Sequence, residues 1–370
     1  MIFNVRWLVL ICFESKIVHC RIAFVTFAQI CDIAYYLPEA TLDNDELASI
    51  YTDWSQAKVL KKLGIERRPI AAPGETALDM ALVAGQRLLQ RGRCKADEVD
   101  FILLCTQSPD YFLPTSACIL QDKLGLPKSC GALDFNLGCS GYVYGLAICK
   151  GLIETGLAKC VMFITSETYS KYINDYDRIN RPLFGDGAAA TIIKAVQSDD
   201  EEPLIGPFVF GTDGSRSDML IVPAGGHRLP VSEETAIENI DGRGSVRSKN
   251  QLYMNGAGIF EFAIDTIPPM VDQLLEESGK TREQVDCFIF HQANRFMLER
   301  LREQCNLDSA RYYNNVLTRG NTVSSSIPIA MMDALGEGVL RPGHTSMLVG
   351  FGVGLSWAAA LVRIPDDFSA

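Results

Sequence analysis

The sequence predicts an α/β protein built as two pseudo-symmetric halves. Three observations carry that prediction: short β-rich apolar runs alternate with stretches of helical period, no low-complexity linker divides the chain, and one pattern of residues occurs twice. "EVDFILLCTQS" (Glu98 to Ser108) matches "QVDCFIFHQAN" (Gln284 to Asn294), with Asp100 five residues before Cys105 and Asp286 five before His291. Each copy leads to a β-like run, a polar turn and a long helix of small residues, "ALDFNLGCSGYVYGLAICKGLIETG" and "NNVLTRGNTVSSSIPIAMMDALGEG". Each half then closes on a Gly-rich turn into a strand, "FGDGAAATII" and "GFGVGLSWAAALV".

Along the chain, "MIFNVRWLVLICF" has the charge and apolar run of a signal peptide but lacks a small-residue cleavage motif, so residues 1–22 read as an extension or a misplaced start. The first half then occupies 23–205 and the second 206–370. Helical periodicity is expected over 45–63, 76–91, 114–124, 140–156, 258–278, 294–304 and 323–338. Buried strands are expected in "DFILLCT", "GALDFN", "CVMFITSE", "AAATIIKA", "DCFIFHQ", "SMLVGFG" and "LSWAAALVRI". No run reaches the roughly 20 apolar residues of a spanning helix, so no membrane partner is expected.

Composition narrows the function classes. A chain of 370 residues with 48% hydrophobic side chains buries a large core. A net charge of −11 argues against a general nucleic-acid binder, since phosphate affinity rests on clustered Lys and Arg. The twelve cysteines form no CxxC pair, which suits a reducing cytoplasm, and the four histidines lack zinc-motif spacing, so no metal is expected.

One cysteine stands apart. Cys139 follows the strand-like "LDFN", lies between Gly138 and Gly141, and directly precedes a helix. The positive end of a helix dipole and its free N–H groups favour thiolate, and glycines let a substrate approach closely. His291 ends the apolar run "DCFIF", and Asn321 lies in the turn "TRGNTVSSS". Under the repeat all three sit at strand-to-helix ends, where α/β sheets bind ligands. A Cys, His and Asn set serves a cysteine hydrolase, with His as base and Asn orienting it. It equally serves a thioester condensing enzyme that needs no metal or redox cofactor: Cys carries an acyl group while His and Asn stabilise an enolate. Other readings are acyl transfer to an amine or hydroxyl without decarboxylation, and a non-catalytic acyl-CoA-binding scaffold.

"NLGCSGYVYGLA", "FGDGAAA", "HQAN", "RGNTVSSSIP" and "GFGVGLSWAAALVRI" together resemble the β-ketoacyl-acyl-carrier-protein synthase III family of the thiolase superfamily, from Asp32 to Ile364. The resemblance implies a thiolase-like five-layer αβαβα fold, a cytoplasmic homodimer, and a role in fatty acid biosynthesis or a related specialised pathway. Acyl-CoA and malonyl-acyl carrier protein would be substrates, with no cofactor. It implies Cys139 as the acyl-accepting nucleophile, His291 and Asn321 as the groups that decarboxylate the malonyl thioester, and the backbone amides of Cys139 and Val353 as the oxyanion hole. Val353 stands where a further glycine is more usual, so its side chain is expected to narrow the pocket.

By the same resemblance Trp54 and Arg178 would flank the adenine of coenzyme A, and Lys62 and Asn294 would contact the same ligand. Leu113 would gate the partner's acyl pocket, its small size favouring a longer or differently shaped chain. Arg295, Arg300 and Arg302 on "RFMLERLREQC" would dock the acidic carrier, diluted by Glu299 and Glu303. The apolar strand "CVMFITSE" is the expected dimer seam.

Overall fold

The computed structural model describes residues 25–198 and 204–368, so the extension expected over 1–22 lies outside the described residues. Two five-stranded mixed sheets form the body. The first contains β1 (Val25–Tyr36), β2 (Phe101–Cys105), β3 (Gly131–Phe135), β4 (Cys160–Glu167) and β5 (Gly187–Ser198), in the order β1-β5-β4-β2-β3. The second contains β6 (Ile205–Thr212), β7 (Cys287–Phe290), β8 (Tyr312–Tyr313), β9 (Thr345–Gly352) and β10 (Ser356–Arg363), in the order β6-β10-β9-β7-β8. The two orders are the same, and so are the pairings. The strands from β4 to β2 to β3 and from β9 to β7 to β8 are parallel, and the ladders β1–β5–β4 and β6–β10–β9 are antiparallel.

The repeated aspartates do the same work in both halves. Asp100 accepts the backbone N–H groups of Lys159 (2.7 Å) and Cys160 (3.1 Å), and Asp286 accepts that of Thr345 (2.8 Å). Each clasps the start of its neighbouring strand and sets its register.

Besides one short turn of helix at Val316–Arg319, the helices are α1 (Asn44–Ile50), α2 (Gln56–Leu63), α3 (Ala77–Gln90), α4 (Ser116–Lys123), α5 (Gly141–Glu154), α6 (Gly256–Ser278), α7 (Arg295–Gln304) and α8 (Ser326–Gly336). Strand alternation sorts the core into three layers. Ile102, Leu104, Met162 and Ile164 face outward onto α3 and α4, while Leu103, Cys105, Val161 and Phe163 face inward onto α5. In the second sheet Cys287, Ile289 and Leu348 share that inner layer with α5 and α8, and Phe288, Phe290, Met347 and Val349 face α6 and α7. The result is helix, sheet, helix, sheet, helix. α5 and α8 are apolar on most sides because a sheet covers each of two faces.

Four expectations change. The helix over 45–63 is two helices: Ser55 caps α2 by accepting the Lys58 N–H (3.3 Å), and the break between them holds Trp54. The helix expected over 323–338 begins as a 3₁₀ turn, Val323–Ser325, before α8. β1, β6 and β8 carried no continuous apolar signal. β1 has a bulge between Ile30 and Asp32, with the buried Asp32 carboxylate held by Arg91 at 2.9 Å, β6 contains Gly206 and Pro207, and β8 has only two residues. Finally, "CVMFITSE" is β4, buried at every position between β2 and β5. A strand paired on both sides offers no edge to a second chain, so it is not a dimer seam; β1 and β3 are the edges of that sheet.

Candidate active site

Cys139 sits in the turn between β3 and α5, two residues before the helix begins, and is 4% exposed. Close packing explains its glycines. A Cβ on Gly138 would lie 2.6 Å from Gln107 Oε1 and 2.7 Å from Val353 Cγ1, and one on Gly141 would strike Cys105 Sγ. From the other sheet, a Cβ on Gly352 would stand 3.0 Å from Cys139 Sγ. The sulfur therefore occupies a hollow left by a missing side chain. Burial pushes the thiol up and the carboxyl of Glu167 adds to the rise, while the backbone amides of Cys139 and Val353 pull it down. The thiolate expected from the helix terminus is thus opposed by desolvation, and those two amides are the groups that face a charge on this sulfur.

His291 follows β7, 2% exposed, with its N–H bonded to Val349 O at 2.7 Å and its ring edge-on to Phe351. Burial holds its pKa down to about 3, with a backbone hydrogen bond at Val323 pulling upward, so the imidazole is neutral. Nδ1 lies 2.8 Å from Ser326 Oγ, which itself accepts the Gln292 N–H at 3.4 Å. That hydroxyl has one hydrogen to give, and when it goes to Nδ1 the ring proton sits on Nε2.

Asn321 is locked by its backbone: its N–H bonds Leu183 O and its carbonyl accepts the Gly185 N–H, both at 2.9 Å. Its Oδ1 accepts the Val323 N–H at 2.9 Å, in a turn where Val323 has φ of 52°. That conformation is uncommon for a β-branched residue and directs the N–H back onto the asparagine. The Nδ2 amide is left as the group to donate elsewhere.

Cys139, His291 and Asn321 line one cavity of about 920 Å³, together with Gly352 and Phe351. Trp54, Lys62, Arg178 and Asn294 line it as well. Arg178 sits over the rings of Tyr51 (5.2 Å) and Trp54 (5.9 Å) and forms a two-pronged ion pair with Asp53 (2.8 and 3.0 Å). Asn294 caps α7 by accepting the Met297 N–H at 2.9 Å, so only its amide end is spare. Lys58, Lys61 and Arg243 join Lys62 in the lining, a basic rim on an acidic chain. Spacing along "KVLKKL" held the signal for the two lysines; Arg243 comes from a loop that carried none.

Two expectations are revised. Val353 turns its side chain onto Gly138 and is absent from the cavity lining, so it does not narrow it. Leu113, expected to act on a partner's pocket, is 86% exposed beside an equally exposed Phe112 and lies outside this chain's own cavity, as that role requires. Arg300 pairs with Glu303 and Arg302 with Glu299, each at 3.0 Å, and Arg302 also bonds Leu307 O. Of the three arginines on α7, only Arg295 has no carboxylate partner among the described residues; it packs on Gly64. Ser326, Gly352 and Glu167 lie inside the quoted runs, but nothing in their local sequence assigned them a role. Glu167 ends β4, fully buried, and accepts from the Gln107 N–H (3.0 Å), Ser108 Oγ (3.1 Å) and Ser324 Oγ (2.8 Å). Desolvation raises its pKa to about 8 against those three hydrogen bonds.

Comparison with known proteins agrees with this architecture. Residues 133–214 match the family described as 3-oxoacyl-[acyl-carrier-protein (ACP)] synthase III, and 275–364 match its C-terminal region. The β-ketoacyl-[acyl-carrier-protein] synthase III of Caldanaerobacter subterraneus subsp. tengcongensis is 36% identical over 328 residues, covering 89% of this chain and 95% of the relative. A crystal structure of a 3-oxoacyl-(acyl-carrier-protein) synthase III superposes with a TM-score of 0.89 at 51% identity, over 91% of this chain and 100% of that one. The corresponding synthase of Burkholderia xenovorans LB400 gives 0.83 at 34% identity, over 92% and 95%. With this coverage and identity, the chain belongs to the β-ketoacyl-[acyl-carrier-protein] synthase III family, acyl-transferring condensing enzymes of the thiolase fold.

Proposed function

We propose that the enzyme runs a two-stage condensation in which Cys139 carries the acyl group and His291 with Asn321 handles a malonyl thioester. Cys139 Sγ attacks the carbonyl of an acyl-CoA, the oxyanion is met by the amides of Cys139 and Val353, and coenzyme A leaves with the thiol's proton. Malonyl-acyl carrier protein then enters. The Nε2–H of His291 and the Nδ2–H of Asn321 donate to its thioester oxygen, carbon dioxide departs, and the enolate carbon attacks the acyl-cysteine carbonyl; the C–S bond breaks, the 3-oxoacyl product forms on the carrier, and the released Cys139 thiolate takes a proton from solvent. Splitting the reaction lets one cavity serve both thioesters in turn.

The observation that carries this reading is the neutral, oriented pair of donors beside a thiol in one apolar cavity. A neutral imidazole suits the task. An imidazolium would pair with the malonyl carboxylate and stabilise the ground state, whereas a neutral donor gains most as charge moves onto the oxygen. Trp54 and Arg178 supply flat surfaces for the adenine, with the ring pair opening slightly to admit it. Lys58, Lys61, Lys62, Arg243 and Arg295 draw in the anionic carrier and the phosphates of coenzyme A. The unpaired edge of β3 and the exposed Phe112 and Leu113 support a homodimer. The free cysteines among the described residues support a reducing, cytoplasmic setting.

Intact-mass measurement after exposure to a panel of acyl-CoAs is the test. The wild type should gain one acyl group on Cys139, and Cys139→Ala should gain none while keeping its circular dichroism. His291→Ala and Asn321→Ala should acylate normally yet release carbon dioxide from malonyl thioester about 100-fold to 1,000-fold more slowly, the usual cost of one oxyanion donor. Acylation of Cys139→Ala, or wild-type carbon dioxide release by both other variants, would overturn the assignment.

A further inference from the structure

Far from the cavity, two more cysteines meet. Cys94 lies in the connection between α3 and β2, and Cys160 opens β4 at the end opposite Glu167, a strand length of roughly 20 Å away. Their Sγ atoms are 3.6 Å apart although the residues are 66 positions apart in sequence. Among the described residues this is the one pair of cysteine sulfurs within hydrogen-bonding reach. Both thiols are buried, and each is followed or preceded in the chain by an exposed lysine, Lys95 and Lys159.

The contact has a direction. Cys94 points its S–H at Lys95 O, 3.3 Å away, which leaves its sulfur to accept from Cys160. Lys194 pairs with Cys160 across the ladder, and its ammonium is held by Glu98 (2.7 Å) and Arg93 O (3.0 Å). The hydrogen bond from Cys160 lowers the Cys94 thiol, with Lys194 assisting and burial opposing; the same hydrogen bond and burial raise Cys160. One sulfur is thus disposed to attack and the other to keep its proton.

We propose that Cys94 and Cys160 form a peroxide-responsive dithiol that closes reversibly to an intramolecular disulfide. The Cys94 sulfur attacks one oxygen of hydrogen peroxide, the O–O bond breaks, and the thiol proton leaves with the departing hydroxide as water. Cys160 then attacks the Cys94 sulfenic sulfur, the S–O bond breaks, and a second water carries away the hydroxyl and the Cys160 proton. Two thiols and one peroxide become one disulfide and two waters, with two electrons passing from sulfur to oxygen. Closing from 3.6 Å to a bond of about 2.05 Å moves each sulfur by less than about 1 Å. In a reducing compartment such a bond is a transient, redox-sensing one.

The test treats the full-length protein with a few equivalents of hydrogen peroxide, then denatures it, alkylates it and maps its peptides by mass. Expected are a linked Cys94–Cys160 peptide pair, loss of alkylation at both positions, and recovery of both with dithiothreitol. Cys160→Ser should instead stall as a Cys94 sulfenic acid captured by dimedone, and Cys94→Ser should leave Cys160 reduced. Full alkylation of both cysteines in the wild type, or a linkage of either to a different cysteine, would overturn the proposal without reference to the variants.

Discussion

The two halves present the same turn against the same strand end and use it in opposite ways. Counted back from the starts of α5 and α8, Cys139 corresponds to Ser324; counted along β4 and β9, Glu167 corresponds to Gly352. In one half-site Cys139 faces Gly352, and the missing side chain leaves its sulfur room. In the other Ser324 donates to Glu167 at 2.8 Å, and the equivalent hollow is filled by a carboxyl group with three hydrogen-bonding partners. The paired strand ends differ likewise. Cys105 donates to Leu137 O and packs beneath the Cys139 turn, whereas His291 at the matching position reaches the cavity. A duplicated fold offers two candidate pockets. Here one is kept hollow and hydrogen-bond-poor for chemistry, and the other is satisfied and braces it.

That contrast is broken most severely by filling the hollow. Gly352→Ala would place a methyl group 3.0 Å from the Cys139 sulfur. Acylation should fall about 100-fold, as for other small misplacements of reacting groups; an unchanged acylation rate by intact mass would show the hollow to be dispensable. A milder effect is expected from Ser326→Ala, which releases the His291 ring from its hydrogen bond. Carbon dioxide release should drop about tenfold, the equivalent of one hydrogen bond, while acylation stays at the wild-type rate. Equal loss in both half-reactions would instead indicate general disturbance of the site.

The smallest effect belongs to the filled pocket. Because the folded pKa of Glu167 is raised from 4.5 to about 8, its contribution to stability is fully present below pH 4.5 and is lost as pH rises to about 8. In that window the folded state holds a proton that the unfolded chain has released. Glu167→Gln, which stays neutral, should remove this part of the pH dependence of Tm and leave activity at neutral pH nearly unchanged. Parallel melting curves for the two proteins from pH 4 to 9 would contradict it.

Much of this was legible before any coordinates. Strand and helix periods located most of the layered elements, and the pairing of Asp100 with Asp286 exposed the duplication that the sheet orders repeat. What escaped was weak in local signal. β1 was hidden by its bulge and its buried Asp32, and the break that presents Trp54 was hidden within an apparently continuous helix. Charge on α7 was legible as composition, but its neutralisation by Glu299 and Glu303 depended on which side chains meet across a helical turn.

By itself the sequence determined the α/β class, the doubling and the glycine-flanked Cys139, because period, turn propensity and backbone freedom are properties of neighbouring residues. Only the tertiary structure decided that Gly352 makes room for the sulfur, that Ser326 meets Nδ1 of His291, and that Arg300 and Arg302 are already paired. The first of these joins atoms more than 200 residues apart in the chain, and all of them depend on geometry that residue type alone does not encode.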